Sequence, residues 1–267
     1  MTTRRTGTLR VALALCLFAM ACRKPEQPAP TVIRVAAASD LTLAFAELAR
    51  RFEQQTGSKV ALTFGSSGLL AKHLREGAPF DVFASANTTF VEGLVKDGAC
   101  DGATQAMYAL GHLVVWTKRG SVAPPTRVTE LADPRFRRIA IANPENAPYG
   151  QAAEQALRAL GLHETLKSRL VIGENIRQTM QFAESENAEA ALVALSLAVS
   201  AKDGVYLPID AALHAPIKQA LVVCKHGGSA EGGRAFARFV NGSEGRAVMR
   251  AHGLLLPGEE LAPTAMP

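Results

Sequence analysis

Residues 32–57 read VIRVAAASDLTLAFAELARRFEQQTG, and this stretch decides the fold. Val32 to Ala37 is a short apolar run, the pattern of a buried strand. Leu41, Phe45, Leu48 and Phe52 then recur at helical spacing until Gly57 stops the helix. Ser39 and Asp40 stand between the two, small polar residues of the kind that open a helix. Strand, polar turn and helix in that order form the repeating unit of an α/β sheet.

Working outward, the unit repeats. Lys59 to Phe64 alternates as a strand, Gly65-Ser66-Ser67-Gly68 follows, and Leu69 to Glu76 is a short helix closed by Gly77. Asp81 to Ser85 is strand-like, and Phe90 to Val95 sits in the next helix. Further strands are predicted at His112 to Thr117, Arg138 to Ala142, Leu170 to Gly173, Ala191 to Leu195 and Ile217 to Cys224. Helices are predicted at Gln151 to Leu160, Gln178 to Glu186, Gly233 to Val240 and Glu244 to Ala251. This alternation implies mostly parallel sheets flanked by helices. The 267 residues suffice for two such bodies. The simplest arrangement is two lobes: residues 31–111 and 205–260 form lobe I, residues 112–204 form lobe II, and a cleft lies between them.

The chain begins with an export signal. Arg4, Arg5 and Arg10 precede the apolar run Val11 to Met20, which is too short for a stable membrane anchor. Ala19-Met20-Ala21-Cys22 fits ordinary signal cleavage and also resembles a lipobox, in which Cys22 is lipidated after residues 1–21 are removed. Arg23 to Pro30, with three prolines, has the composition of a tether, so residues 22–30 would link a lipid anchor to the folded domain. Removing the three leader arginines from the formal +5 leaves +2. With one Trp, three Tyr and no dense basic stripe, a nucleic-acid partner is excluded. Cys100 and Cys224 remain in the exported domain, free to pair or to stay as buried thiols.

The chemistry concentrates in four turns that each end a strand and open a helix: Ser39-Asp40, Gly65 to Gly68, Pro148-Tyr149-Gly150, and Glu174-Asn175-Ile176-Arg177. A helix N-terminus presents free amides and the positive end of the dipole, so it holds an anion without formal charge. Any one serine here is most simply a helix cap, worth about 1 kcal/mol. The set points further, because ligands of open α/β sheets collect at the carboxyl ends of strands. Two turns come from each lobe, and facing lobes would bring all four to one cleft. The six histidines (73, 112, 163, 214, 226 and 252) have no metal-ligand spacing, and no nucleophile stands beside a base. Metal ligands and catalytic residues are therefore not expected. Arg177 is read as a brace for its turn or a solvent-facing side chain. The side chain of Asp40 is expected to point away from the anion.

At these residues the chain resembles the periplasmic molybdate-binding proteins of ABC importers. Val35 to Leu41, Phe64 to Gly68, and Gly77 to Ala86 carry the likeness. It continues through Asn143-Pro144, Ala147 to Gly150, Glu174 to Ile176, and Leu192 to Ser196. The resemblance implies a two-lobed type II periplasmic binding protein, monomeric, without cofactor, whose ligand is molybdate or tungstate and whose partner is a membrane permease. It implies hydroxyl ligands at Ser39 and Ser67, with backbone amides from Tyr149 and Ile176. Because Tyr149 is assigned its amide, its phenol is expected to matter little. Some members bind the anion through a Tyr where this chain has Ala194, and the amide of Ala38 is the candidate replacement. The competing readings are a carrier for sulfate or another small anion, and a secreted enzyme using the same cleft.

Overall fold

The computed structural model describes residues 32–259; the signal segment 1–21, Cys22 and the tether 22–30 lie outside them. In chain order come β1 (Val32–Ala38), α1 (Thr42–Thr56), β2 (Lys59–Gly65), α2 (Ser67–Arg75), β3 (Val82–Ser85), α3 (Thr88–Lys96) and β4 (Cys100–Gly111). Next are β5 (Leu113–Lys118), β6 (Ile139–Ala142), α4 (Pro148–Ala159), α5 (His163–Leu166), β7 (Leu170–Gly173), α6 (Ile176–Glu184), β8 (Ala190–Ala194), α7 (Leu195–Ala198) and β9 (Gly204–Pro208). The strand β10 (Ile217–Cys224) and the helices α8 (Ala230–Asn241) and α9 (Ser243–Ala251) follow.

The strands form two five-stranded sheets of matching design, ordered β2-β1-β3-β10-β4 and β7-β6-β8-β5-β9. The first three strands of each are parallel. The fourth, β10 or β5, runs antiparallel to both neighbours. The expected parallel arrangement thus holds for three strands and gives way to a mixed sheet. Its physical reason is the connection. Parallel neighbours need a helical crossover, whereas β5 and β10 each arrive directly from the other sheet.

Two strands do not follow from the sequence patterns. β4 carries Gly102 and Gly111, and its pairing with β10 is broken by register shifts between Gln219 and Ala220 and between Leu221 and Val223. Its side chains therefore keep no clean period of two. β9 is a short edge strand ending in Pro208. Its pairing with β5 keeps residues 204–208 in the second sheet, where the sequence reading returns the chain to lobe I at 205.

Each lobe has its own core. On one face of the first sheet, Phe45 and Phe52 of α1 meet Phe236 of α8 edge to face. On its other face, Leu70, Leu74, Val91 and Leu94 pack over Phe83. The second sheet is buried by α4 and α6 around Trp116, Phe136 and Ile141. Gly57 ends α1 in the left-handed conformation, with φ at 72°. The buried carboxylate of Asp81 accepts from the amides of Arg34, at 2.7 Å, and Ser229, joining β1 to the entry of α8. That makes Asp81 a structural member of the Gly77 to Ala86 block. Cys100 and Cys224, register partners on β4 and β10, form a disulfide. Closing a loop with a sequence separation of 124 removes chain entropy worth about 5 kcal/mol.

Candidate functional site

Four helix starts line one small cavity of about 10 Å³. That is below the roughly 300–1,000 Å³ of typical organic-ligand pockets. Its lining includes Ser39, Ser66, Ser67, Tyr149 and Ile176, with no Lys, Arg or His. All five of these residues are buried. The cavity therefore offers hydroxyls and amides without a cation, and Asp40 is the one acidic residue of its lining.

Each turn is built locally. After β1 the chain makes one 3-10 turn, Ser39–Leu41, before α1. The Ser39 carbonyl accepts from the Thr42 hydroxyl at 2.7 Å. Ser66 sits at the N-cap of α2 in extended conformation, yet its side chain caps no amide. Its Oγ is buried without a partner. The Ser67 hydroxyl accepts from the Ala86 amide at 3.0 Å, which leaves its own proton free to donate. Pro148 occupies the first turn of α4, where its missing N–H costs nothing. The Tyr149 and Gly150 amides in that turn have no intrahelical acceptor. Gly150 is required there, since a Cβ would collide with the Ala142 carbonyl. At α6, Asn175 Oδ1 accepts from the Arg177 and Gln178 amides at 3.0 and 3.1 Å. The Ile176 amide, at the first position of α6, has no intrahelical acceptor, and the residue lines the cavity. Helices α4 and α6 begin earlier than the apolar spacing suggests, α4 with Pro148 in its first turn and α6 behind the Asn175 cap.

The structure brings Ala38, Ser39, Ser67, Tyr149 and Ile176 together around the cavity. Ala38 ends β1 in register with Gly65. Arg177 is half-exposed and paired with Glu184 at 2.9 Å, so it stays outside the lining. Ala194 ends β8 away from the lining, but Ser196 just beyond it donates to the Asp40 carbonyl at 2.9 Å.

Beneath the cavity lies a polar cluster that the local sequence patterns do not announce. Gln219 of β10 is fully buried, and its Nε2 donates to Asp40 Oδ2 at 2.9 Å and to the Tyr149 hydroxyl at 2.8 Å. A Gln inside the apolar run Ile217 to Cys224 was the available signal. Burial pushes the Asp40 carboxyl from its ordinary 3.8 up to about 6, against the opposing hydrogen bonds from Gln219 and Tyr149. Burial beside Asp40 likewise holds the Tyr108 and Tyr149 phenols well above their usual range. Asp40 thus points into the protein, and the Tyr149 phenol has a buried partner that its expected amide role leaves out.

Elsewhere, Ser200 Oγ lies 3.4 Å from His252 Nδ1, whose Nε2 lies 3.0 Å from Glu47. This serine–imidazole–carboxylate chain is outside the cavity lining, and Glu47 is shared with Arg51. No cluster of His, Cys, Asp or Glu suited to a metal occurs among the described residues.

Residues 33–255 match the family described as bacterial extracellular solute-binding protein. The chain belongs to that family. Among the solute-binding proteins, it is 37% identical to the molybdate-binding protein ModA of Azotobacter vinelandii, over 92% of this chain and 96% of the relative. It is 32% identical to the ModA of Rhodobacter capsulatus, over 92% and 96%. The solved Azotobacter vinelandii periplasmic molybdate-binding protein superimposes with a TM-score of 0.78 at 33% identity, covering 84% of this chain and 99% of that one. The family's two-lobed type II architecture is the one seen in the paired mixed sheets.

Proposed function

We propose that the protein captures molybdate or tungstate outside the cytoplasm and delivers it to a membrane permease of an ABC importer. The observation that carries this reading is the small cavity lined by hydroxyls and amides from four helix starts, two in each lobe, with no Lys, Arg or His and with Asp40 as its one acidic residue. A fully deprotonated tetrahedral dianion presents only acceptors, so hydroxyls and amides can meet every oxygen. Ser39 and Ser67 are assigned hydroxyl donors, and Ala38, Tyr149 and Ile176 amide donors. Ser66 joins them, since its buried hydroxyl has no partner and it belongs to the cavity lining. Closure about the crossings near residues 111–113 and 208–217 would enclose the ion and present the closed form to the permease. The names of the relatives support the choice of oxyanion. The chain is read as a monomeric carrier rather than an enzyme, because the Ser200–His252–Glu47 chain lies away from the cavity. Cys22 is assigned a lipid anchor that keeps the carrier at the periplasmic face of a membrane.

Calorimetric titration with molybdate, tungstate, sulfate and phosphate tests the assignment. Molybdate and tungstate are expected to bind at least about 100-fold tighter than sulfate, a gap of about 2.7 kcal/mol. Equal affinities would make this a general oxyanion carrier. Phosphate is the control for Asp40, whose Oδ1 is buried without a partner. If that oxygen faced the ligand it would accept the proton of hydrogen phosphate, and phosphate would outrank sulfate.

A further inference from the structure

The hydrogen bonds of Gln219 have no part in holding the anion, yet they sit at the junction of the two lobes. Gln219 and Asp40 belong to the first lobe, through β10 and the turn after β1. Tyr149 belongs to the second, in the first turn of α4. The Gln219–Tyr149 bond therefore crosses between lobes, and the Gln219–Asp40 bond ties it to the residue after Ser39. Two further bonds cross beside it. Ser196 Oγ donates to the Asp40 carbonyl at 2.9 Å, and the Gly68 amide donates to the Asn146 carbonyl at 2.9 Å. Gly68 allows this approach, since a Cβ there would stand 3.0 Å from the Asn146 oxygen. Each of these three bonds ends at or within two residues of a turn assigned to the anion, whereas the Ser200–His252 contact joins the lobes elsewhere.

These contacts bind the two lobes to each other. If opening the cleft draws Tyr149 away from β10, the buried Gln219 amide loses one acceptor. A neutral buried hydrogen bond contributes on the order of a fivefold to tenfold bias. Binding that requires the closed form is weakened in proportion as the closed fraction falls.

We propose that Gln219 is a positioning residue that latches the closed lobes, setting the closed fraction and hence the oxyanion affinity through Asp40 and Tyr149 without touching the ion. This rests on the oxyanion-carrier reading above. It also revises the expectation for Tyr149, whose phenol becomes part of the latch while its amide serves the ligand.

The test compares full-length wild type with Gln219→Leu, Tyr149→Phe and the double variant. Molybdate affinity is measured by calorimetry, and the distance between lobes by fluorescence transfer, without ligand and at saturation. Each single variant is expected to bind about 5- to 10-fold more weakly. The double variant should bind little worse than Gln219→Leu, because both changes remove the same bond. Unliganded variants should show a longer distance between lobes, and saturating molybdate should restore the wild-type value. Variants that lose melting temperature but keep wild-type affinity and distances would reduce Gln219 to packing and overturn the latch. Should Gln219→Leu fail to fold, Tyr149→Phe keeps the ring and decides alone. If the wild type binds no oxyanion, the carrier reading fails, while the distances in unliganded protein still decide the latch.

Discussion

Replacing Asp40 by Asn should stabilise the protein, and the gain should depend on pH. The carboxyl is fully buried, with one oxygen on Gln219 and the other unpartnered. Burial raises its pKa from 3.8 to about 6. At about 1.4 kcal/mol per pH unit, that gap corresponds to about 3 kcal/mol. The sign follows from proton binding. Between pH 3.8 and about 6 the folded state holds a proton that the unfolded state has released, so stability from this group falls as pH rises. Above about 6 the whole cost of burying the charge is present. Asn keeps an acceptor for Gln219 Nε2 and carries no charge. Urea denaturation of ligand-free protein, wild type against Asp40→Asn, should show nearly equal stability below pH 4. The variant should gain progressively to about 3 kcal/mol at pH 7. Taking the difference between the two proteins cancels the other carboxylates, which titrate alike in both. A variant no more stable than wild type at pH 7, or a difference flat with pH, would refute the reasoning. The buried carboxylate would then be either already neutral or adequately solvated.

Ser39→Ala and Ser67→Ala should each weaken molybdate binding about 10- to 150-fold, since a hydrogen bond to a charged acceptor is worth about 1.5–3 kcal/mol. Ser66→Ala should fall in the same range if its orphaned hydroxyl is a ligand, with melting temperature unchanged or raised; wild-type affinity in all three, by calorimetry, would put the cavity in the wrong place. Protein extracted from membranes should show by intact mass a lipidated Cys22 as its first residue, and an unmodified Cys22 in the soluble periplasmic fraction would remove the anchor while leaving the binding site intact.

What was legible in the sequence was local. The turns holding Ser39, Ser67, Tyr149 and Ile176 could be found because each is a strand end followed at once by a helix, an event written within a few residues. The apolar runs of β7 and β10 coincide with the strands residue for residue. β4 was hidden by its glycines and bulges, and β9 by its brevity at a sheet edge. The polar cluster was hidden for a different reason. Gln219 meets Asp40 across 179 residues and Tyr149 across 70, and Ser196 meets Asp40 across 156. No periodicity reports a partner that far away. Reading Asp40 as facing away from the anion was a statement about its own helix, whereas its environment is supplied by the opposite lobe and the returning strand.

The Cys100–Cys224 bridge turns part of the molecule into a covalent ring. The chain leaves the first lobe through β4 and comes back through β10, and the bridge fastens the far ends of those two strands. Every residue of the second sheet lies inside the ring. A protease cutting any single bond between the two cysteines would open the ring into a line without releasing a fragment. The segment that bears Tyr149 and Ile176 would stay attached to the one that bears Ser39 and Ser67. For a carrier working where proteases are common and reductants scarce, the ring keeps both jaws of the clamp on one molecule after damage that would otherwise divide them.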